Sequence, residues 1–223
     1  MQNLKAIAFD IDGTLYPAFS LYWRMSFYVL RNLRFYLHFR KVRKVMHRTA
    51  PLPDFYEYQG RLLATELGCT VEEAKEKIDR IMYKGITKFF SRIKTFKGVE
   101  DCFRKFKEAG YKIAVLSDFP PSQKGEFWGL KKYCDFIVGS EELGALKPSK
   151  YPFGIMARSL GVKEEEILYV GNSIKYDVVG AKRAGMKSAI ILTGLRKLFR
   201  RKVKQADISF VNYRQLTEIV LNS

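Results

Sequence analysis

Apolar runs and helical spacing alternate along residues 98–223, in the order that is typical of a parallel sheet with crossing helices. Five short apolar runs are predicted strands: 112–116, 136–138, 167–170, 188–192 and 208–211. Helical spacing between and after them predicts helices at 99–109, 124–130, 151–160, 175–184 and 213–221. A sixth apolar run, residues 6–9, predicts a buried strand near the start of the chain. The pattern therefore predicts an α/β fold built on a parallel sheet.

Residues 16–97 show helical spacing and contain no convincing strand. A long helix is predicted at 19–47, where one apolar stripe comprises Tyr22, Met25, Val29, Leu33 and Tyr36. Two further helices are predicted at 55–67 and 71–90, the second beginning with the capping box of Thr70 and Glu73. We therefore expect a core formed by residues 1–15 and 98–223, with an all-helical domain inserted at 16–97.

Two aspartates follow the first predicted strand, in the segment Asp10-Ile11-Asp12-Gly13-Thr14. Open α/β sheets bind ligands at the carboxyl ends of their strands, which is where both carboxylates would lie. Such a pair suits a carboxylate nucleophile with an acid/base partner. A solvated turn is the alternative, since Asp and Gly are common turn residues. Two acids placed after a buried run are costly without a role, so we favour a functional site.

Three more motifs follow predicted strands in the second half of the chain. The Ser117 hydroxyl, with the next backbone N–H at Asp118, could hydrogen-bond a phosphate oxygen. Lys147 could neutralise phosphate charge, and Asn172 and Asp177 offer the hard oxygens that Mg²⁺ prefers. Taken singly, these residues also fit a turn, an exposed lysine and a helix cap. Their order at successive strand ends predicts one shared site.

With these four motifs the chain resembles the haloacid dehalogenase superfamily. The segment 10–14 matches the first family motif, Ser117 the second, Lys147 the third and residues 171–177 the fourth. The resemblance implies a Rossmann-like sheet with a helical cap, and a phosphatase that acts on a small phosphorylated metabolite of the nucleotide or sugar phosphate class. The acid at position 12 argues against dehalogenase activity, because family dehalogenases lack it.

The resemblance also implies roles for individual residues. Asp10 would form an aspartyl-phosphate, and Asp12 would act as the acid and then the base. The implied phosphate-binding residues are Gly13, Thr14, Ser117, Asp118 and Lys147. The implied Mg²⁺ ligands are Asp10, Asp12, Asn172 and Asp177. Tyr16 and Phe19 could line the substrate pocket, whereas Tyr22 and Trp23 are expected in the core of the cap.

Two of these positions depart from the family pattern. Asn172 stands where many relatives carry an acid, so we expect weaker binding of the metal. Asp118 stands where relatives often carry a neutral Asn, so we expect its carboxylate to point away from phosphate and cap the next segment.

The net charge of +17 is unevenly distributed along the chain. Residues 24–48 hold eight Lys or Arg and residues 195–204 hold six, with no acid in either segment. These segments favour anionic ligands, and an alternative function is therefore a catalytically weak or silent protein of the same fold that binds nucleic acid or an anionic membrane. A solvated basic face is equally compatible with the helix at 19–47.

The numbers and spacing of cysteines and histidines argue against disulfides, histidine metal sites and Ser/His catalysis. The three cysteines have no paired spacing, which indicates reduced thiols and predicts a cytoplasmic protein. The chain has only two histidines, which argues against a histidine metal cage or a Ser/His triad. The uncharged stretch near the start of the chain is too short to span a bilayer.

Overall fold

The computed structural model describes residues 3–222 and shows one six-stranded parallel sheet. Its strands are β1 (Ala6–Phe9), β2 (Lys112–Ser117), β3 (Phe136–Gly139), β4 (Ile167–Gly171), β5 (Lys187–Ile191) and β6 (Ile208–Phe210). The spatial order is β3-β2-β1-β4-β5-β6, and every neighbouring pair is parallel. The order reverses between β1 and β4, which opens a crevice at their carboxyl ends. The predicted α/β fold is confirmed.

Ten α-helices accompany the sheet in the described residues. They are α1 (Ala18–Arg31), α2 (Leu33–Met46), α3 (Phe55–Leu67), α4 (Val71–Ile78), α5 (Thr87–Phe90), α6 (Val99–Glu108), α7 (Lys150–Leu160), α8 (Val179–Arg183), α9 (Gly194–Leu198) and α10 (Tyr213–Leu221). Short π-helical turns cover Asp79–Lys84 and Ile174–Val178, and 3-10 turns cover Pro121–Lys124, Phe127–Tyr133, Ser140–Leu143 and Glu164–Glu166.

The sheet is buried on both faces, as its continuous apolar strands require. Alternate residues of β1 point to opposite faces, so Ile7 and Phe9 pack on the side covered by α6 and α10. Ala6 and Ala8 pack on the other side, beneath α7 and α8. Phe9 stacks on Phe103 of α6 with ring centroids 4.4 Å apart. This double cover fixes β1 rigidly, and with it the loop that carries Asp10.

The segment between β1 and β2 is helical and has an apolar core of its own. Phe39 and Met46 of α2 pack with Leu63 of α3 and Ile78 of α4. The capping box of Thr70 is present at the start of α4. No helix within residues 3–222 has the length and apolar character that crossing a membrane requires.

Four predicted helices differ from the structure. The segment 71–90 divides into α4, a π-helical turn and α5, and the segment 175–184 is a π-helical turn followed by α8. The segment 19–47 forms two helices instead of one, because the backbone leaves helical geometry at Asn32 (φ −114°, ψ 27°) and the Asn32 side chain donates to the Tyr28 carbonyl at 2.9 Å. The segment 124–130 forms parts of two 3-10 turns. Gly125 and Gly129 have positive φ there (57° and 76°), which ends any regular helix.

Candidate active site

Asp10 follows β1 directly, and its side chain is almost fully buried. Its Oδ1 accepts a hydrogen bond from Lys147 Nζ at 2.7 Å, and its Oδ2 accepts one from Thr14 Oγ1 at 2.7 Å. Burial raises the pKa of Asp10 to about 7, opposed by Lys147 and reinforced by the nearby Asp177 and Asp12. The two hydrogen bonds hold the carboxylate in one orientation, as a nucleophile requires.

Lys147 lies at the centre of the buried charges. Its ammonium donates to Asp10 and to Asp177 Oδ1, each at 2.7 Å, and contacts the Tyr169 hydroxyl at 3.2 Å. Burial alone would lower the pKa of Lys147, but the charges of Asp10 and Asp177 raise that pKa well above its ordinary value. Asp177 Oδ2 accepts the backbone N–H groups of Asn172 and Ser173 at 3.1 and 2.9 Å. Lys147 is therefore a fixed cation beside Asp10.

Asp12 is more exposed than Asp10, and its carboxylate accepts three hydrogen bonds. Tyr16 donates to Oδ1 at 2.5 Å, while Ser117 Oγ and Lys124 Nζ each lie 3.2 Å from Oδ2. The turn after β1 thus brings Asp10 and Asp12 to one site, as the sequence predicts. A fixed, accessible carboxylate beside a buried one suits the transfer of protons.

A cavity of 630 Å³ opens above these carboxylates. One end is lined by charged and polar side chains that include Asp10, Asp12, Ser117, Lys124, Lys147, Asn172 and Asp177. The rest of the wall is largely apolar and comes from α1, from the segment 82–90 and from Phe119. The predicted site residues from four separate segments therefore meet at one cavity.

Thr14 and Gly13, two of the predicted phosphate-binding residues, shape the loop that carries Asp10. The Thr14 hydroxyl donates to Asp10, and the Thr14 backbone N–H donates to the Ile11 carbonyl at 3.1 Å. Both donors of Thr14 are thus used inside the loop, where they orient Asp10. Gly13 adopts a φ of 84°, and a Cβ there would lie 2.0 Å from the amide nitrogen of Asn172.

The Asp118 carboxylate points away from the phosphate end of the cavity. Its Oδ1 accepts from Ser140 Oγ at 2.7 Å and from the Lys147 backbone N–H at 3.1 Å. Burial would raise the pKa of Asp118, but Lys147, His47 and Arg43 together hold that pKa below its ordinary value. Asp118 therefore fixes the loop of Lys147. The expectation that it caps the next segment is wrong, because its partners lie in later segments.

Three aromatic residues of α1 lie elsewhere than expected. Phe19 does not line the cavity: it is 74% exposed and stacks on Trp23 on the outer face of the helix. The expected place of Tyr22 and Trp23 in the cap core is also wrong, since both are about as exposed as Phe19. Tyr22 lies at the rim of the cavity, and Tyr16 lines it as predicted.

Comparison with known proteins places this architecture in a family. The family model described as haloacid dehalogenase-like hydrolase matches residues 4–185. The chain belongs to this family. The glyceraldehyde 3-phosphate phosphatase of Methanopyrus kandleri is 30% identical over 204 residues, covering 86% of this chain and 85% of that protein. A phosphoglycolate phosphatase of Salmonella typhi is 24% identical over 87% of this chain and 83% of its own.

Solved structures of the haloacid dehalogenase-like fold superpose on nearly the whole chain. A HAD phosphatase from Thermococcus onnurineus has a TM-score of 0.63 at 21% identity, covering 97% of this chain and 98% of its own. The L-2-haloacid dehalogenase of Xanthobacter autotrophicus has a TM-score of 0.66 at 20% identity, covering 98% of each. These two show the fold. The family match and the phosphatase relatives confirm the predicted enzyme class, a phosphoric monoester hydrolase.

Haloacid dehalogenase-like phosphatases generally use a divalent metal, and the donor atoms here fit one. Within residues 3–222, no three His, Cys, Asp or Glu side chains form a metal cage by themselves. The carboxylates of Asp10 and Asp177 flank Lys147, and the Asp12 carbonyl oxygen lies 3.2 Å from the Asn172 amide nitrogen. Two carboxylates, a backbone carbonyl and an amide make a hard donor set.

The charge balance of the site also suits a cation. Three carboxylates, Asp10, Asp12 and Asp177, face the two ammonium groups of Lys124 and Lys147. One negative charge is left over in this group. The raised pKa of Asp10 reflects that surplus together with burial. A divalent ion between Asp10 and Asp177 would favour the ionised form of these two carboxylates.

The sequence did not indicate three of the residues that contact the site. Tyr169 donates to the Leu116 carbonyl at 2.7 Å and also contacts Lys147. In the sequence, the only feature that sets Tyr169 apart is its hydroxyl, the one polar side-chain group in the buried strand β4. Lys124 carries no sequence signal among forty basic residues. His47, the residue that follows α2, lies with Nδ1 2.6 Å from the Lys147 carbonyl oxygen, a contact across a hundred residues.

Proposed function

We propose that the chain is a Mg²⁺-dependent phosphatase that hydrolyses a small phosphomonoester through an aspartyl-phosphate on Asp10. The observation that carries the proposal is the pair of carboxylates at one cavity. Asp10 is buried and oriented by Lys147 and Thr14, and Asp12 is accessible and held by Tyr16. This division separates the nucleophile from the acid/base group.

In the first half of the reaction, a carboxylate oxygen of Asp10 attacks phosphorus in line. A new O–P bond forms as the bond to the leaving oxygen breaks, and Asp12 gives that oxygen its proton. Lys147 and Ser117 are placed to hold phosphoryl oxygens and to stabilise the charge of the transition state. Lys124 keeps a second positive charge beside Asp12.

In the second half, Asp12 is ionised and takes a proton from water. The water oxygen attacks phosphorus, and the Asp10 carboxylate leaves with its electron pair. Phosphate is released with Asp10 ionised and Asp12 protonated, as at the start. Both steps use the same two side chains, so one site performs them in turn.

Mg²⁺ would be held by the carboxylates of Asp10 and Asp177, the Asp12 carbonyl and the Asn172 side chain. It would supply positive charge that screens the repulsion between Asp10 and the phosphate. Asn172 contributes no charge to this set, so we propose weaker metal binding than an acid would give there.

We further propose that residues 16–97 form the cap and that residues 1–15 and 98–223 form the catalytic core. The first candidate substrates are glyceraldehyde 3-phosphate and phosphoglycolate, after which two relatives are named. Nucleotide and sugar phosphates, which the family resemblance suggests, are also candidates. The cytoplasmic location stays a prediction.

Hydrolysis of p-nitrophenyl phosphate tests the proposal, with and without Mg²⁺. We expect Mg²⁺-dependent release that Asp10→Asn abolishes with the fold intact, because an amide is a poor nucleophile. Asp101→Asn is the matched control, since Asp101 lies on the exposed surface of α6, and it should keep full activity. Turnover by Asp10→Asn at a rate near that of the unchanged protein would refute the mechanism.

A further inference from the structure

Helix α1 carries apolar side chains on two opposite sides. Leu21, Met25 and Val29, spaced four residues apart, face the cavity above Asp10. A second stripe of Phe19, Trp23, Phe27 and Leu30 faces solvent, with exposed fractions of 74%, 71%, 74% and 66%. Helix α1 is therefore a thin apolar wall between the active-site cavity and the outside.

The cavity wall beyond the catalytic groups offers few hydrogen bonds. It is formed mainly by Leu21, Met25, Val29, Met82, Ile86, Phe90 and Phe119. Tyr22 and Ser26 are polar residues of the lining, whereas the polar atoms Gln123 Oε1 and Tyr36 OH are buried without a hydrogen-bond partner and are closed to a ligand.

A nucleotide or sugar phosphate would place many more polar groups against this wall. Each polar group that is buried without a partner loses its hydrogen bonds to water, so such a ligand would bind poorly here. An alkyl or acyl chain, in contrast, gains free energy from every methylene that leaves water. The wall therefore favours a ligand with a phosphate at one end and an apolar chain at the other.

The outer stripe of α1 has the composition of a helix that lies on a lipid surface. Large aromatic and aliphatic side chains are seldom exposed in such a continuous row unless they bind something. Trp and Phe beside arginines are typical of helices that insert at the boundary of headgroups and acyl chains. Arg24, Arg31 and Arg34 lie on α1 and at the start of α2, and none has an ion-pair partner among residues 3–222.

The charge around this surface selects an anionic membrane. Residues 13–53 contain no Asp or Glu. Helix α9 and the residue that follows it add a second exposed apolar group, Leu195, Leu198 and Phe199, within the basic segment 195–204. Helix α9 follows β5 and α1 follows β1, so both leave the same edge of the sheet. Positive charge on both complements the negative surface of acidic lipids.

We infer that the substrate is a phosphomonoester with an apolar chain, taken from an anionic lipid surface on which the outer face of α1 docks. The inference rests on the proposed phosphatase function and names its substrate class. The apolar chain lies against Leu21, Met25 and Val29, and the phosphate lies at Asp10.

A series of n-alkyl phosphates from two to ten carbons, used below their micelle concentrations, tests the cavity. Glyceraldehyde 3-phosphate is the polar comparison and p-nitrophenyl phosphate the reference. We expect kcat/KM to rise about two- to fourfold per methylene until the cavity is filled, since burial of one methylene contributes about 0.8 kcal/mol. Val29→Thr, which adds a hydroxyl to the wall at constant size, should flatten the rise. Val45→Thr makes the same change on an exposed part of α2 and should leave the series unchanged.

Co-sedimentation with vesicles tests the docking surface. The protein should bind vesicles that contain phosphatidylglycerol, and bind those of pure phosphatidylcholine at least tenfold more weakly. Trp23→Ser combined with Phe27→Ser should reduce binding at least tenfold with an unchanged circular dichroism spectrum. Tyr151→Ser, which changes an exposed aromatic residue of α7, should keep full binding and full p-nitrophenyl phosphate hydrolysis.

The outcomes separate the inference from the proposed function. Hydrolysis of p-nitrophenyl phosphate with no chain-length dependence, or with no binding to anionic vesicles, would overturn the inference and leave the phosphatase intact. A stable dimer that buries Trp23 would also overturn it, because α1 would then be covered by a second copy. Failure to hydrolyse any phosphomonoester would remove the proposed function and the inference with it.

Discussion

Replacing Arg43 with methionine removes one half of a buried ion pair between α2 and the turn that precedes Lys147. Arg43 Nη1 lies 2.5 Å from Glu141 Oε2 and 3.2 Å from Gln59 Oε1. Its guanidinium lies 4.4 Å from the centre of the Phe119 ring. Because both charged side chains are nearly inaccessible to water, methionine leaves a buried carboxylate without its partner.

Breaking a buried ion pair in this way costs about 3–5 kcal/mol of the free energy of unfolding. For a chain of this size, that corresponds to a fall in melting temperature of roughly 6–20 °C. The exposed pairs of the surface, such as Lys84 with Asp79, contribute far less because water screens them. The structure therefore predicts that Arg43→Met lowers the free energy of unfolding far more than the loss of an exposed ion pair would.

If the stability lost in Arg43→Met depends on pH, the unpaired charge of Glu141 is its cause. Burial raises the pKa of Glu141 to about 7, opposed by Arg43. Since this pKa lies above its ordinary value of 4.5, the contribution of Glu141 to stability is complete below about pH 4.5 and is lost as the pH rises through 7. Removing Arg43 raises this pKa further. At pH 6, Glu141 is then mostly neutral with or without Arg43, whereas at pH 8 its charge is paired only in the protein that keeps Arg43. The Arg43→Met protein should lose less stability at pH 6 than at pH 8.

Urea unfolding at pH 6 and pH 8 measures this difference. Arg40→Met, an exposed arginine on the same helix, is the matched control and should change stability by less than about 0.5 kcal/mol. Adding Glu141→Leu to Arg43→Met should recover much of the loss at pH 8, because no buried charge remains. Equal losses at the two pH values would refute the electrostatic reasoning and assign the effect to packing.

Three further substitutions test the site. Asn172→Asp adds a negative charge to the metal donors and should lower the Mg²⁺ concentration for half-maximal activity about tenfold in a titration; an unchanged value would exclude Asn172 as a ligand. Tyr169→Phe leaves the Leu116 carbonyl without its donor and should cost about 1–3 kcal/mol in urea unfolding, with a lower kcat as Lys147 loses a contact. Gly13→Ala places a Cβ 2.0 Å from Asn172 at a positive φ and should reduce kcat at least tenfold in the p-nitrophenyl phosphate assay; full activity would contradict that geometry.

The strands were predictable because burial on both faces leaves short, continuous apolar runs. All six appear within about two residues of their predicted bounds, and β1 matches at both ends. Helix interruptions were less predictable. Nothing in the apolar stripe of residues 22–36 marks Asn32 as a break, since the stripe continues across it on both α1 and α2. The break depends on a local hydrogen bond that periodicity does not encode.

The candidate site was predictable where its residues follow strands. Asp10, Ser117 and Asn172 lie next to the ends of β1, β2 and β4, so topology alone brings them together. Lys124 lies on an irregular turn and reaches Asp12 only through tertiary packing. Phe19 was misplaced because an aromatic residue near a site in sequence can face either side of a helix. Only the structure shows that it faces outward.

Trapping the covalent intermediate tests the central claim most directly. The Asp12→Asn protein lacks the base of the second step, while p-nitrophenolate leaves without a proton, so the first step does not need Asp12. This protein is mixed with p-nitrophenyl phosphate and Mg²⁺, quenched in acid and digested for peptide mass spectrometry. The account predicts one added phosphoryl group on the peptide that contains Asp10, and none when Asp10 is also changed to Asn. A phosphoryl group on another residue, or turnover of the unchanged protein with none trapped on Asp10 in the Asp12→Asn protein, would contradict it.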